Sequence, residues 1–413
     1  MFSRLPYGLS LCCLTLLLWS SLVSGADENL KETLQRDLRE LTDYAARNSN
    51  AKIKTYLNER KESKFEVWKK AAEEGNPEGQ VLFGKCHFFG VGVPEDQEEA
   101  INWFQKAAEK GFLPAQVELA LCYFYGRGVP EDKMEAAAWI RGSAVLDNTN
   151  AQVLLARCYL EGIELPDNKE EAVYWFRKAA EKNNAEAQWR LGMCYFDAVG
   201  VPEDKEKAMG LIRQAADRGS GEALYQMYLC YLEGIVVPRN EAEAVNWLRR
   251  SADREYAKAQ VQMGERYLTG TGLPQNRGSG EQWFRRAIEK DYAEAHYRLG
   301  EHYYRGQFLS ENWTEAASWF RRAAELKHAE GQYRLGWCYL FGHGVQKDEA
   351  EAVVWFRKSA EQNCAAGQHL LGECYAAGWG VPKDEEEAAK WLRKAAEQGV
   401  KQAAVLLWEI KKF

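Results

Sequence analysis

Cysteine is the side chain in this sequence whose spacing most directly suggests chemistry. Five cysteines follow one another at intervals of 36 residues and two more lie at later multiples of that interval: Cys86, Cys122, Cys158, Cys194, Cys230, Cys338 and Cys374. A thiolate can act as a nucleophile, bind zinc or pair in a disulfide. Each of these roles requires a partner group within a few ångströms, so the elements that position the cysteines decide among them.

Histidine is the second candidate, because five of the six histidines fall between His296 and His369, near Cys338, Cys364 and Cys374. Such a mixture of imidazoles and thiols is typical of zinc sites. By contrast, no nucleophile elbow, glycine-rich phosphate loop, HExxH sequence or CxxC pair occurs. Catalysis would therefore depend on side chains that the fold brings together.

The interval that relates the cysteines extends over nine units between residues 77 and 400. Tryptophan, replaced once by leucine, recurs with the same step at Trp103, Trp139, Trp175, Leu211, Trp247, Trp283, Trp319, Trp355 and Trp391. In the second unit, Ala115, Leu119 and Cys122 share one face of a predicted first helix. Glycine and proline at 126 and 130 then end that helix.

A second helix is predicted in every unit, because an aspartate or asparagine suited to the N-cap position follows the turn. Asp132 with Glu135 three residues later forms a capping box. Trp103 and Phe104 lie on the apolar face of this helix in the first unit. We expect the tryptophan to fill the gap between repeats, with Trp319 as a core residue. The predicted fold is an all-α, right-handed α/α solenoid of helix-turn-helix repeats with capping helices.

This arrangement disfavours chemistry at the cysteines and histidines. Packed helices lie about 8–10 Å apart, whereas a disulfide needs Cα atoms about 4.4–6.8 Å apart. Positions such as His302 and Cys338, one interval apart, would not converge on a zinc ion. Cys194 is therefore predicted to be a small buried apolar residue, and Cys364, off the interval at a helix start, is the exception that can be exposed. We expect no enzyme, no metal and no cofactor.

The recurring pattern A-x-A-Q-x-x-L-G-x-C-Y-x-x-G-x-G-V-P-x-D-x-x-E-A-x-x-W-F-R-K-A-A-E resembles the Sel1-like repeat, a relative of the tetratricopeptide repeat. The resemblance covers about four-fifths of the chain and implies a scaffold or adaptor for protein–protein interactions. A cysteine-rich branch of the family is described as binding penicillin or hydrolysing β-lactams, which leaves a cell-wall or β-lactamase-like protein as an alternative. That branch carries two cysteines per repeat, whereas Ala108 and Ala115 occupy equivalent positions here.

Residues 1–26 are predicted to be a secretory signal peptide. Arg4 precedes an apolar stretch from Leu9 to Trp19 that is too short to span a bilayer, and Ser24 and Ala26 suit a cleavage site. An uncleaved anchor is the competing interpretation. We expect an exported protein, periplasmic or secreted, with no membrane span in the mature chain. The family also has a lumenal adaptor branch, so an adaptor of protein quality control in the endoplasmic reticulum lumen is the alternative. The net charge of −7 argues against nucleic acid as a partner.

The two ends differ from the repeats. Residues 27–76 are predicted to form charged capping helices and an orphan repeat helix, and residues 401–413 a C-terminal capping helix. Leu30, Leu34 and Leu38 lie on one helical face. They indicate either a cap over the first repeat or a short coiled-coil helix that binds a partner.

Partner binding is expected at positions that vary between repeats on the first helices. Counting two residues before or after the repeat leucine gives the predicted partner-binding residues Trp189, Tyr225, Tyr297, Tyr333, Trp337 and His369. Such an aromatic surface suits an amphipathic or extended segment of a protein or peptide in an exported compartment. The alternative is that these side chains only pack between first helices, as a stripe at helical spacing often does.

Overall fold

The computed structural model describes residues 28–42, 50–145, 148–162, 168–306 and 309–410. Every regular element in these residues is an α-helix, and they contain no strand. The all-α prediction is confirmed. The predicted signal peptide lies outside the described residues. Each helix in the described ranges is either too short or too polar to span a lipid bilayer.

The described chain forms 21 helices. Helices α1 (28–42) and α2 (Asn50–Glu73) precede the repeats. The first helices of the repeats are α3 (Pro77–Phe89), α5 (Leu113–Tyr125), α7 (Thr149–Leu160), α9 (Ala185–Phe196), α11 (Gly221–Glu233), α13 (Ala257–Thr269), α15 (Ala293–Arg305), α17 (Ala329–Phe341) and α19 (Ala365–Ala377). The second helices are α4 (Gln97–Ala108), α6 (Lys133–Val145), α8 (Lys169–Glu181), α10 (Lys205–Asp217), α12 (Glu241–Asp253), α14 (Arg277–Ile288), α16 (Trp313–Glu325), α18 (Glu349–Glu361) and α20 (Glu385–Glu397), and α21 (Lys401–Ile410) follows.

The predicted N-caps start all nine second helices. In each, a side-chain oxygen accepts a hydrogen bond from the backbone N–H three residues later, and the capping residues are Asp96, Asp132, Asn168, Asp204, Asn240, Asn276, Asn312, Asp348 and Asp384. Such caps satisfy backbone donors that the first turn of a helix leaves unpaired. Asn312, part of an N-x-T sequence, is thus accounted for by its bond to the backbone N–H of Glu315, 3.1 Å long.

The core of a repeat lies between its two helices, and the residue that fills it is the one after the tryptophan. Phe320 is fully buried. A Cβ added to Gly300 of α15 would lie 2.7 Å from its ring, so the ring touches the glycine backbone. The same position is fully buried at Phe104, Ile140, Phe176, Ile212, Leu248, Phe284, Phe356 and Leu392.

The tryptophans do pack between repeats, since Trp319 and Trp355 contact apolar clusters that include Phe284 and Phe320 of the preceding repeats, but the expectation that Trp319 is a core residue is wrong. Six in-register tryptophans are only half-buried: Trp103, Trp139, Trp175, Trp283, Trp319 and Trp355. In the repeats that have a glycine at this contact, such as Gly300 against Phe320, the paired helices lie close together and the indole lies at the edge of the pair. At Trp103, Trp175, Trp283 and Trp355 a basic side chain three residues later covers the ring, as Lys358 does with its Nζ 3.9 Å from the Trp355 ring centre.

The in-register cysteines are packing residues, as predicted. All seven are free and buried in the described chain, and Cys194 is only 4% exposed. Burial raises the pKa of the Cys86 thiol to about 12 and that of Cys194 to about 11. Cys364 precedes α19 and is half-buried. A neutral thiol enclosed by apolar groups is a poor nucleophile and a poor metal ligand.

The chain divides into two compact units, one up to Arg218 and the other from Gly219 onwards. In the first unit, α1 buries Leu34 and Leu38 in the same apolar cluster as Val81 and Leu82 of α3. In the second unit, Ala403 of α21 is buried in a cluster with residues of α20. Helices at both ends of the array therefore pack against their neighbouring repeats.

Candidate functional site

The predicted partner-binding residues all lie on first helices. They are Trp189 on α9, Tyr225 on α11, Tyr297 on α15, Tyr333 and Trp337 on α17, and His369 on α19. Five of them are half-buried, as a contact surface requires, and the exception is Tyr225. Trp189 belongs to the first unit and the others to the second.

Tyr225 does not have the partial exposure expected of it. It is only 7% exposed, and its ring centre lies 5.6 Å from that of Tyr256 and 5.4 Å from that of Tyr228. Burial raises the pKa of Tyr225. Tyr256 directly precedes α13, and its ring packs on that of Tyr225. Tyr225 therefore contributes to the core and not to a surface.

Helix α17 carries an aromatic face that continues beyond the predicted residues. Tyr333, Trp337 and Phe341 follow one another at steps of four residues, with ring centres 6.4 Å and 4.5 Å apart. Phe341 is 47% exposed. The sequence reasoning missed Phe341, although the four-residue step from Tyr333 to Trp337 leads directly to it.

The turn after α17 extends this face. His343 stacks on Trp313, the first residue of α16, with ring centres 4.4 Å apart, and Trp313 is 42% exposed. Tyr304 of α15 lies beside both, since its hydroxyl is 2.9 Å from His343 Nδ1. We refer to Tyr304, Trp313, Tyr333, Trp337, Phe341 and His343 together as the aromatic cluster.

The polar tips in the middle of the aromatic cluster satisfy one another. Trp337 Nε1 donates a hydrogen bond to the Tyr304 hydroxyl at 3.0 Å. That hydroxyl can in turn donate to His343 Nδ1. Burial raises the pKa of Tyr304, so it remains a neutral donor. These bonds fix the rings, and a rigid aromatic surface loses little conformational entropy when it binds a partner.

Ion pairs between neighbouring first helices flank the aromatic residues. Arg334 of α17 donates to Glu301 of α15 at 3.0 Å. His302 Nε2 lies 3.0 Å from Glu265 Oε2. Tyr297 stacks on His328 with ring centres 5.0 Å apart. The first helices of the second unit thus alternate aromatic rings with paired charges.

No three His, Cys, Asp or Glu side chains come together as metal ligands in the described part of the chain. His302 contacts a carboxylate, and His369 likewise lies 3.3 Å from Glu373. Cys338 and Cys374 are buried. His302 and His369 thus have carboxylate neighbours, and Cys338 and Cys374 lie in the core.

Paired helices capped by aspartate or asparagine and repeated every 36 residues define an α-helical repeat protein. A family model for the Sel1 repeat matches nine segments, at residues 77–112, 113–141, 149–184, 185–220, 221–256, 257–292, 293–328, 329–364 and 365–400. These segments make up more than half of the chain. The chain belongs to the Sel1 repeat family.

Three similar proteins of known structure come from bacteria. One is c5321, a protective antigen of uropathogenic Escherichia coli with an SLR fold; it is 33% identical, with 84% of this chain and 82% of that chain covered and a TM-score of 0.46. A Sel1 repeat protein from Oxalobacter formigenes is 28% identical, covering 74% and 89%, with a TM-score of 0.49. Cysteine rich protein B of Helicobacter pylori is 28% identical, covering 30% and 94%, with a TM-score of 0.26. No curated protein matches the chain.

Proposed function

We propose that this chain is an exported scaffold that holds a segment of a partner protein on the aromatic cluster of its second unit. The observation that carries the proposal is the exposure of Trp313 and Phe341, 42% and 47%, at the two sides of His343. Large rings left open to solvent as a group mark interaction sites more often than single exposed apolar residues do. Tryptophan and tyrosine are also enriched among residues that dominate binding energy.

The chemistry of the aromatic cluster favours a peptide ligand. Its polar tips are used internally, so the rings offer mainly apolar and stacking contact. An amphipathic or extended segment can place side chains against rings that recur along one helix face. Membership of the Sel1 repeat family supports a scaffold. The cysteine-rich alternative, a penicillin-binding or β-lactamase-like protein, gains no support from the described cysteines, which are free and mostly buried.

The binding surface is tested by selecting peptides from a displayed random library against the whole protein. Selected peptides are then titrated against Trp313→Ala, Phe341→Ala and, as a matched control, Trp408→Ala, which removes an exposed tryptophan on α21. A dominant contact contributes about 2 kcal/mol or more, so the first two variants should weaken binding about thirtyfold. Thermal melts verify that each variant is folded. Peptides that bind all variants equally would place the surface elsewhere.

Export is part of the same proposal and rests on the composition of residues 1–26. The chain should be processed close to Asp27 when it is made in its own host. The test is cell fractionation followed by the intact mass of the recovered protein. A mass that includes residues 1–26 in a membrane fraction would favour an uncleaved anchor, and recovery from the endoplasmic reticulum lumen would favour the adaptor of protein quality control.

A further inference from the structure

The first helices of the first unit line a groove of about 950 Å³. Its charged lining consists of five cationic side chains, Lys85, Arg127, Arg157, Lys182 and Arg218, and two carboxylates, Glu118 and Glu186. Five minus two leaves a local charge of +3, in a chain whose net charge is −7. We refer to this groove as the basic groove.

The two carboxylates do not neutralise the basic groove as a whole. Glu118 contacts Lys85 directly. Glu186 forms a 2.8 Å ion pair with Arg190, which is not part of the lining. Both acidic groups are therefore engaged already, and neither forms an ion pair with Arg127 or Arg218.

Arg218 and Arg127 bind neutral groups. Arg218 donates to the backbone carbonyl of Asn183 at 3.2 Å and to the side-chain oxygen of the same residue. Arg127 lies over the ring of Tyr125, 4.8 Å from its centre. Neither arginine has a carboxylate within ion-pair distance in the part of the chain that the structure describes. Each can therefore accept an anionic partner without giving up an existing ion pair.

Arg157 lies between Arg127 and Arg218 in the sequence, and two contacts hold its side chain in place. It donates a hydrogen bond to the Tyr125 hydroxyl, and its guanidinium lies 4.4 Å from the ring centre of Phe124. Its nearest carboxylate, Glu161, is 4.0 Å away and is also bound by Lys133 at 2.6 Å. A guanidinium fixed in this way loses little side-chain entropy on binding, and its fork geometry matches a carboxylate.

Partly exposed apolar residues also line the basic groove. Phe88 of α3 and Leu121 of α5 are half-buried and lie in it together with the cations. The N-terminal residues of α7 and α9 also line it, which adds the partial positive charge of the helix ends. A ligand that fits must therefore combine negative charge with apolar side chains.

We propose that the basic groove binds an extended acidic segment of a partner protein in which carboxylates alternate with apolar residues. Arg127, Arg157 and Arg218 pair with the carboxylates, and the apolar lining takes the intervening side chains. A nucleic acid fits less well, because the overall negative charge of the chain repels a long polyanion. The basic groove includes no residue of the aromatic cluster, so this inference stands independently of the proposed function.

The test uses fluorescein-labelled peptides with blocked ends, so that only side-chain charges differ. A peptide of alternating glutamate and leucine is compared with its glutamine–leucine and lysine–leucine counterparts by fluorescence anisotropy on the full chain. The glutamate peptide should bind at least about tenfold more tightly than the glutamine peptide, and added salt should weaken the binding of the glutamate peptide. Equal binding of the glutamate and glutamine peptides would overturn the proposal.

Variants then locate the binding. Arg127→Gln combined with Arg218→Gln should weaken the glutamate peptide by about tenfold or more. Arg213→Gln, which removes an exposed arginine of α10 outside the lining, is the matched control and should leave affinity unchanged. Both replaced arginines are exposed, so folding should survive, and circular dichroism verifies this. Unchanged affinity in the double variant, or tighter binding of a single-stranded oligonucleotide than of the peptide, would contradict the proposal.

Discussion

The side-chain Nε2 of Gln332 donates a hydrogen bond to the backbone carbonyl of Ala324, 3.2 Å away, and so joins α17 to the last turn of α16. Other repeats have the same bond, over the same eight-residue separation: Gln116 to Ala108, Gln152 to Ala144, Gln188 to Ala180, Gln260 to Ala252 and Gln368 to Ala360. In these six repeats an amide at this position therefore ties the first helix to the preceding second helix.

His296 occupies this position in α15 and should be a weak point of the second unit. It is 3% exposed, and neither ring nitrogen has a hydrogen-bond partner in the described chain. We expect His296→Gln, which can bond to the carbonyl of Ile288, to raise the free energy of unfolding by about 1–2 kcal/mol. Urea titration measures this, and the reverse change, Gln332→His, should destabilise. A destabilised His296→Gln variant would show that the imidazole has a role of its own.

The same substitution should alter the pH dependence of stability. Burial lowers the pKa of His296 below its ordinary value of 6.5, and the nearby Arg322 lowers it further, while Asp291 opposes them. The unfolded chain therefore takes up a proton before the folded one does, and stability present above pH 6.5 is lost as the pH falls below it. The advantage of His296→Gln over the wild type should grow between about pH 7.5 and pH 5.5. A constant difference across that range would contradict the account.

The repeat boundaries could be predicted because the same signals recur in all nine units, and the N-caps followed from them. Which of Trp319 and Phe320 is the buried core residue could not be predicted from the sequence. Both lie on the apolar face of α16, one residue apart, and helical spacing cannot tell which side chain enters the gap between the helices. Gly300 decides, since its missing side chain admits the Phe320 ring and holds the two helices close.

Much of the aromatic cluster also could not be predicted from the sequence. Spacing along α17 accounts for Tyr333, Trp337 and Phe341. Trp313 and His343, by contrast, meet because the turn after α17 packs on the first residues of α16. That contact joins two repeats at positions that hold other residues elsewhere in the array, so the 36-residue period carries no trace of it.

Truncation of the core phenylalanine should be far more damaging than truncation of the tryptophan beside it. Phe320→Ala leaves a cavity against Gly300 and should lower the free energy of unfolding by about 3–5 kcal/mol. Trp319→Ala removes a half-buried ring whose Nε1 has no hydrogen-bond partner in the described chain, so we expect no more than about half that loss. Urea titration of both variants gives the comparison. The opposite order would restore tryptophan as the core residue.

The thiols should react in two classes. Cys364 is half-buried and should be labelled by a maleimide in the native protein, whereas the seven buried cysteines should react only after unfolding. Burial raises the pKa of Cys122, Cys338 and Cys374 to about 12, so mildly alkaline pH should not expose a second reactive class. Intact-mass measurement with and without denaturant counts the labels. Disulfides among the buried cysteines would revive the resemblance to the cysteine-rich branch.

Removal of one whole repeat should leave a shorter protein that still folds. Deleting residues 329–364 removes α17 and α18 together and brings Gln368 to the position that Gln332 held, where its amide can reach the carbonyl of Ala324. Because each repeat packs mainly on its neighbours, helix content per residue and cooperative unfolding should both persist. The matched control deletes residues 329–346, which takes α17 alone and leaves the apolar face of α18 without its partner helix. Circular dichroism melts should show a cooperative transition for the first deletion and a broadened or lost one for the second. Equal cooperativity in the two proteins would mean that the helix pair is not the folding unit of this array.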